Sequence, residues 1–208
     1  MILVVGLGNP GPRYAATRHN AGAMVADRLA ERAGVVFREK FEGLFAQLEL
    51  GAERAVLLKP LTYMNESGRS VRKAAEFFKI APKDVLVVHD ELDLPWQSLR
   101  LKVGGGSAGH KGISSVTAHL GTPDTMRLRI GIGRPPPAFR GDGADFVLET
   151  FPLADRDDLR KVVERAADAV TLVAERGIAD AMNVTNQRLP PGALLAPGHG
   201  PGAKDQKE

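Results

Sequence analysis

His19 stands between Arg18 and Asn20, in a polar stretch a short way past the first strand-like run, residues 2–5. Asp90 stands just past another apolar run, residues 85–89. A lone histidine is more often a surface or core residue than a catalyst, but this pair has the makings of a general base. A carboxylate beside an imidazole fixes its tautomer and stabilises the imidazolium formed when the ring takes a proton. The chain has no cysteine and its serines lack a well-ordered triad, so such a base would act on water. His89 ends an apolar run and reads as structural.

The other polar oddities gather in the same way. Gly6-Leu7-Gly8-Asn9-Pro10-Gly11 follows the first strand-like run, and Thr62-Tyr63-Met64-Asn65-Glu66-Ser67-Gly68 follows the run ending at Lys59. Asp90-Glu91-Leu92-Asp93 follows residues 85–89, and the glycine-rich segment from Gly104 through Gly109-His110-Lys111-Gly112 follows residues 99–103. In open α/β sheets ligands bind beyond the carboxyl ends of the strands. The four segments are therefore expected to converge on one cleft.

Three segments imitate other sites. Gly6-x-Gly8-x-x-Gly11 spells the dinucleotide fingerprint. Pro10 and Pro12, however, remove N–H donors where a pyrophosphate would be cradled, and the helix starts too late. The ribose-binding acid expected ~20 residues on would be Asp27, within a helix rather than at a strand end. Gly105-Gly106-Ser107-Ala108-Gly109 matches a nucleophile elbow, but His110 is too close to Ser107 in sequence and the glycines suit a mobile loop. The approach to a P-loop fails at His110, which intrudes before Lys111, and no Ser or Thr follows the lysine. Asp90, Glu91 and Asp93 lack the spaced histidines of a metal site, so no metal is expected. Arg13, Lys59, Lys102, Lys111, Arg127, Arg129 and Arg134 read as a solvated face or, along the strand-end rim, as a patch for phosphates.

These residues need a scaffold. The chain has 208 residues, 43% hydrophobic and 25% charged, which is globular composition. Without cysteine, a disulfide framework, a thiol nucleophile and a thiolate zinc site are excluded. A net charge of +3 and a pI near 9.3 permit a local nucleic-acid patch without demanding one. Mean hydropathy is −0.14 and the apolar runs are strand-length, so no membrane span or secretory leader is expected and the cytoplasm is the default. Strands are expected at 2–5, 44–50, 55–59, 85–89, 99–103 and 128–132, with 44–50 and 55–59 forming an antiparallel hairpin. Helical stripes run through Ala21, Met24, Val25 and Leu29 to a stop at Gly34, through Val71, Ala74, Ala75 and Phe78, and from Leu159 to Val173. Shorter candidates are 113–120 and 179–188. The expected fold is one α/β domain, residues 1–188, with a mixed, mostly parallel twisted sheet flanked by helices. Residues 189–208, rich in Pro and Gly, read as a disordered tail.

Taken in order, the motifs resemble bacterial-type peptidyl-tRNA hydrolases. The resemblance is carried by Val5-Gly6-Leu7-Gly8-Asn9-Pro10-Gly11, by Tyr14 with Thr17-Arg18-His19-Asn20-Ala21-Gly22, and by Tyr63-Met64-Asn65-x-Ser67-Gly68. It continues in His89-Asp90-Glu91-Leu92-Asp93-Leu94-Pro95, Lys102-x-Gly104-Gly105-Gly106-x-x-Gly109-His110-x-Gly112 and Arg127-Leu128-Arg129-Ile130-Gly131-Ile132-Gly133. Asp145-Phe146-Val147-Leu148 closes the series. The resemblance implies cleavage of the ester between a peptide and the terminal tRNA ribose, with tRNA as nucleic-acid partner, no cofactor and a monomeric enzyme. It assigns His19 as general base, Asp90 as its orienting partner, and Asn65 to the water or the oxyanion. Asn9 and Met64 would line the peptide cleft, Tyr14 would serve near the peptidyl or tRNA end, and His110 and Lys111 would bind substrate. Lys102 and Arg129 would grip a tRNA phosphate, and residues 142–153 would form a mobile lid. Lys111 departs from the family's usual Asn, and an ammonium, unlike an amide, cannot accept a hydrogen bond. Trp96 lies outside the common pattern. The rival readings are an RNA-binding module of the same fold without hydrolysis and a serine esterase using Ser107.

Overall fold

The computed structural model describes residues 1–187. The Pro/Gly-rich tail, 189–208, lies outside the described residues. A seven-stranded sheet has the order β2-β3-β4-β1-β5-β7-β6. At its centre β1 (Ile2–Gly6) is buried along its whole length, as expected of a strand covered on both faces. It pairs in parallel with β4 (Glu53–Pro60) and β5 (Val85–Glu91), and β5 pairs in parallel with β7 (Met126–Gly131). The flanks are antiparallel: β2 (Arg38–Lys40) on β3 (Gly43–Leu50), β3 on β4 as the expected hairpin, and β6 (Leu99–Val103) on β7.

Alternation along the central strands divides the core into two layers. Val4, Leu57, Leu86, Val88 and Leu128 pack against α1 (Ala21–Ala33) and α5 (Arg156–Thr185), through residues such as Val25, Leu29, Val162 and Val170. Leu3, Val5, Val56, Leu58 and Val87 pack on the opposite face against α2 (Ser67–Phe78) and α3 (Lys111–Leu120), through Val71, Ala74, Ile113 and Val116. Gly34 closes α1 in the left-handed conformation, φ 63°, the role its position predicted.

Several elements differ from the expectation. Parallel pairing is confined to β4-β1-β5-β7, leaving both flanks antiparallel. β2 is missing from the sequence reading because all three of its residues are exposed and polar. The short helix α4 (Gly143–Leu148) is held by a capping box in which Asp142 accepts from the Ala144 and Asp145 N–H groups and Asp145 answers back. The helices expected at 159–173 and 179–188 run on as α5, broken at Gly177, where φ is 78° and ψ 166°. Arg188, the last residue of that expected pair, lies outside the described residues. No helix among the described residues is long and apolar enough to cross a membrane.

Candidate active site

The His19 turn is brought to β5 by a close approach that only glycine allows. A Cβ on Gly22, in the first turn of α1, would lie 2.1 Å from the Val88 carbonyl oxygen and 2.7 Å from the Leu7 nitrogen. With hydrogen there instead, α1 packs down onto β1 and β5, and His19, three residues earlier, meets Asp90. Gly112 plays the same part for α3: a Cβ would lie 2.5 Å from Met64 Sδ. Its absence lets Met64, His110 and the start of α3 crowd together. Asn20, buried, ties the first loop to this turn. Its side-chain oxygen accepts from the Asn9 N–H at 2.9 Å and its nitrogen donates to the Asn9 carbonyl at 3.0 Å.

At the centre, one oxygen serves two imidazoles. Asp90 Oδ1 accepts from His19 Nδ1 at 2.8 Å and from His110 Nε2 at 3.0 Å. The tautomer of His110 follows from its surroundings. It is the N-cap of α3, and its Nδ1 accepts from the Gly112 and Ile113 N–H groups at 3.1 and 3.3 Å. A nitrogen that accepts carries no proton, so Nε2 is the donor toward Asp90. Because Asp90 Oδ1 is an acceptor, His19 Nδ1 carries its proton and leaves Nε2 with the lone pair. Asp90 is 2% exposed and His19 12%, so the carboxylate is sealed while the imidazole stays reachable. Burial alone would raise the Asp90 pKa. The electrostatic attraction and hydrogen bond of the His110 N–H, with the bond from His19, outweigh it and hold the carboxyl well below the usual range.

His89 supports this pair from beneath. Its Nδ1 donates to the Asp90 carbonyl at 2.7 Å, and its ring stands edge-on to His110 with centroids 4.8 Å apart. Burial, helped by the neighbouring His110, pushes its pKa well below the ordinary value and keeps it neutral. The structural role expected of His89 is the one it has. His19, Asp90 and His110 also have the composition of a metal set, with candidate ligand atoms within 4.8 Å of one another. Both nitrogens facing the carboxylate are donors, however, and the remaining His110 nitrogen is occupied by the helix cap. This arrangement suits proton transfer rather than coordination.

The pair forms part of a cleft of about 490 Å³, lined among others by Asn9, Tyr63, Met64, Asn65 and Lys111, with α4 along one wall. The Asn9 side-chain oxygen accepts from the Met64 N–H at 2.8 Å, so its amide nitrogen, with two donors, is left for a ligand. Asn65 is exposed and has no side-chain hydrogen bond among the described residues. Lys111, at the first turn of α3, brings an exposed ammonium to the rim. Tyr63, 61% exposed, also stands on the cleft wall, where the motif around it signals no role for its ring. Tyr14 does not line this cleft; the Arg13 guanidinium lies over its ring, 4.5 Å from the centroid. Ser107 does not line it either, and no histidine is bonded to its hydroxyl among the described residues, so the serine-esterase reading has no site.

The basic residues separate into different jobs. Arg127, 2% exposed, is no solvated cation. Its guanidinium donates to the carbonyl oxygens of Gly106 at 2.7 Å and Gly105 at 2.8 Å and anchors the glycine-rich loop. The anchor is needed because β6 runs antiparallel to β7: Val103 pairs with Met126. The loop thus leaves from the sheet edge opposite the one expected and must climb back to deliver His110. Lys102 pairs in register with Arg127. Burial, with added repulsion from Arg127 and Arg129, lowers its pKa. Arg129 is tied to Glu91 at 3.0 Å; Lys102 has no ion-pair partner among the described residues. Arg134 is spent on Asp93, at 2.7 Å.

A mixed α/β sheet carrying a histidine held by a buried carboxylate beside an open cleft, with no serine or cysteine among the residues that line it, defines a class of site in which a general base can take a proton from water. Comparison with known proteins gives the class a name. The family model for peptidyl-tRNA hydrolase matches residues 3–191. A peptidyl-tRNA hydrolase from Sorangium cellulosum is 52% identical over 206 residues, covering 99% of this chain and 92% of that one. One from Anaeromyxobacter dehalogenans is 51% identical over 189 residues, covering 90% and 97%. Among solved structures, a peptidyl-tRNA hydrolase in complex with N-propanol superposes with a TM-score of 0.80 at 37% identity, covering 91% of this chain and 96% of that one. The Acinetobacter baumannii enzyme superposes with a TM-score of 0.77 at 38% identity, covering 88% and 93%. The chain belongs to the peptidyl-tRNA hydrolase family.

Proposed function

We propose that this chain, as an enzyme of its family, hydrolyses the ester joining peptide to tRNA with His19 as general base. The observation that carries the reading is the 2.8 Å bond from His19 Nδ1 to the buried Asp90, which leaves Nε2 unprotonated beside the cleft. Nε2 takes a proton from water as the oxygen attacks the ester carbonyl. The imidazolium so formed is stabilised by Asp90. Negative charge on the carbonyl oxygen is met by amide N–H donors from Asn65 and Asn9, which lie in the same cleft. Collapse of the tetrahedral intermediate expels the ribose oxygen, which recovers the proton from His19. The products are tRNA with a free 2′- or 3′-hydroxyl and the peptide's carboxylic acid, which gives its proton to solvent and leaves as the carboxylate.

Lys102, with Arg129 beside it, would hold a tRNA phosphate. Lys102, without an ion-pair partner among the described residues, is partly buried and repelled by the nearby charges of Arg127 and Arg129, an environment that an arriving phosphate dianion relieves. His110 departs from the substrate-binding part assigned by resemblance. Both of its ring nitrogens are engaged within the protein, so its part is to fix Asp90. The reading uses no cofactor or metal, and it takes the enzyme to be a cytoplasmic monomer.

The test is release of the blocked amino acid from N-acetyl-aminoacyl-tRNA, run beside free aminoacyl-tRNA. Cleavage of the blocked substrate is expected to dominate, because a free α-ammonium would meet the Lys111 charge at the rim while an amide would not. Equal cleavage of both would count against the cleft as the peptide site. Binding of the blocked substrate without cleavage would favour the RNA-binding module. In the same assay Lys102→Ala should raise KM several-fold and flatten its dependence on salt by about one phosphate contact's worth, with kcat nearly unchanged. An unaltered salt slope would remove Lys102 from the phosphate site.

A further inference from the structure

Beside the cleft, on the far side of α4, lies a cluster that the reaction as described leaves unused. The Arg18 guanidinium lies over the Phe146 ring, 4.2 Å from its centroid, and 5.5 Å from that of Phe151. Its Nη1 donates to the Thr150 carbonyl at 3.0 Å. Main-chain bonds join the same two segments: Arg18 N–H to the Glu149 carbonyl at 3.0 Å, Phe151 N–H to the Ala16 carbonyl at 3.3 Å, and an isolated bridge between Thr17 and Thr150. Trp96, for which the sequence suggested no role, stacks on Phe151 with centroids 5.1 Å apart and planes tilted by 32°. Its turn is held on α5, where Arg165 donates to the Gln97 carbonyl at 3.1 Å and Gln97 donates to Asp158 at 2.8 Å. Gln97 itself sits at φ 69°, a conformation that a non-glycine residue keeps only when its surroundings enforce it.

The consequence lies in what each end of this cluster carries. Phe146 belongs to α4, whose Gly143, Ala144, Val147 and Leu148 form a wall of the cleft. Arg18 is the residue before His19 in the same 3-10 turn, Arg18–Asn20. One side chain therefore joins the cleft wall to the backbone that aims the general base. Apart from these contacts α4 rests on a small satellite core of Ile132, Phe146 and Val147, with Leu92, Phe139 and Phe151 packed against it. A wall so lightly held can shift, and it cannot shift away from the His19 turn without breaking the Arg18 contacts.

We propose that Arg18 is a positioning residue: sandwiched against Phe146 and tied to Thr150, it makes the α4 wall and the His19 turn move as one unit, with Phe151 and Trp96 as its fixed anchor. The inference rests on His19 being the general base. Its prediction is a change in turnover rather than in substrate affinity, because Arg18 does not line the cleft.

The test compares Arg18→Ala, Arg18→Lys and Phe151→Leu in the full chain, with kcat and KM measured on N-acetyl-aminoacyl-tRNA. Trp96, the single tryptophan, reports the anchor by its fluorescence. Arg18→Ala should lower kcat about tenfold, within the penalty for misplacing a catalytic group by a fraction of an ångström, and leave KM within about twofold. Trp96 emission should shift to the red as Phe151 loosens. Arg18→Lys keeps a cation over the ring and should recover part of kcat. Phe151→Leu removes no charge and should reproduce the fall in kcat and the emission shift more mildly.

The proposal is overturned if Arg18→Ala raises KM and flattens the salt dependence while kcat holds and Phe151→Leu is silent. Arg18 would then be a phosphate contact. It is overturned equally if kcat holds in all three variants. Failure of the catalytic reading shows itself separately, as an inactive wild-type protein or an active His19→Ala. In that event the Trp96 shift and faster hydrogen exchange at the residue-18 and Asn20 amides, bonded to the Glu149 and Thr17 carbonyls, in Arg18→Ala would still support the mechanical link, and their absence would sink it.

Discussion

His19→Ala should retain tRNA binding and lose about 10³-fold in kcat on N-acetyl-aminoacyl-tRNA, in the middle of the range that a positioned general base contributes. The loss falls on kcat because the imidazole acts on water, whereas the groups proposed to hold tRNA, Lys102 and Arg129, belong to β6 and β7. The fold should survive. Asp90 keeps its His110 donor at 3.0 Å, and His19 is partly open to solvent, so the truncation opens the cleft rather than the core. What activity remains would come from the amide donors of Asn9 and Asn65. A Ser107→Ala control, outside the cleft, should match the wild type. An undiminished kcat in His19→Ala would sink the mechanism, and a large fall in Ser107→Ala would revive the serine reading.

The pairing of His19 with Asp90 was legible in the sequence because its cause is topological. β1 and β5 are adjacent parallel strands, and residues just past the carboxyl ends of neighbours in such a sheet meet. Even so, Asp90 lies within β5 rather than beyond it, which is why it is buried and can hold charge only by satisfying two imidazoles. The central strands and the main helices announced themselves by their apolar runs and stripes. Gly22 and Gly112 could be read as motif letters but not explained, since the atoms they admit belong to distant segments.

What the sequence withheld has equally physical reasons. The direction of β6 has no local signature: Leu99–Val103 reads the same whichever way it pairs, and only the partner reveals it. That hid the need for Arg127, a cation that looks like any other on a rim yet is buried against glycine carbonyls. The second nitrogen of His110 was hidden too, because a histidine N-cap is not among the usual helix-start residues. The α4 start could have been found: Asp142 and Asp145 stand at capping-box spacing, with Asp where Glu or Gln is usual. Arg18 and Trp96 are far apart in the chain and each packs on Phe151, so no window of sequence shows them together.

Asp90→Asn should lose about 10²-fold in kcat, less than the ~10⁴-fold known when the same exchange beside a catalytic histidine inverts its tautomer. The difference comes from His110. An asparagine at this position must choose which end of its amide faces the two imidazoles. His110 Nδ1 is committed as acceptor to the Gly112 and Ile113 N–H groups, so its Nε2 remains a donor and calls for an oxygen opposite it. That oxygen is the atom His19 Nδ1 also meets, at 2.8 Å in the native protein. The amide is thereby turned the right way, His19 keeps its productive tautomer, and only the negative charge that stabilises the imidazolium is lost. Asp90→Ala should do worse, leaving two part-buried N–H donors without their acceptor, at up to about 1–3 kcal/mol each. The decisive comparison is Asp90→Asn with and without His110→Ala. If His110 sets the orientation, removing it frees the amide to flip and deepens the loss beyond the product of the two single changes. Simple multiplicative losses, or a full 10⁴-fold fall in Asp90→Asn alone, would mean that His110 does not govern the tautomer.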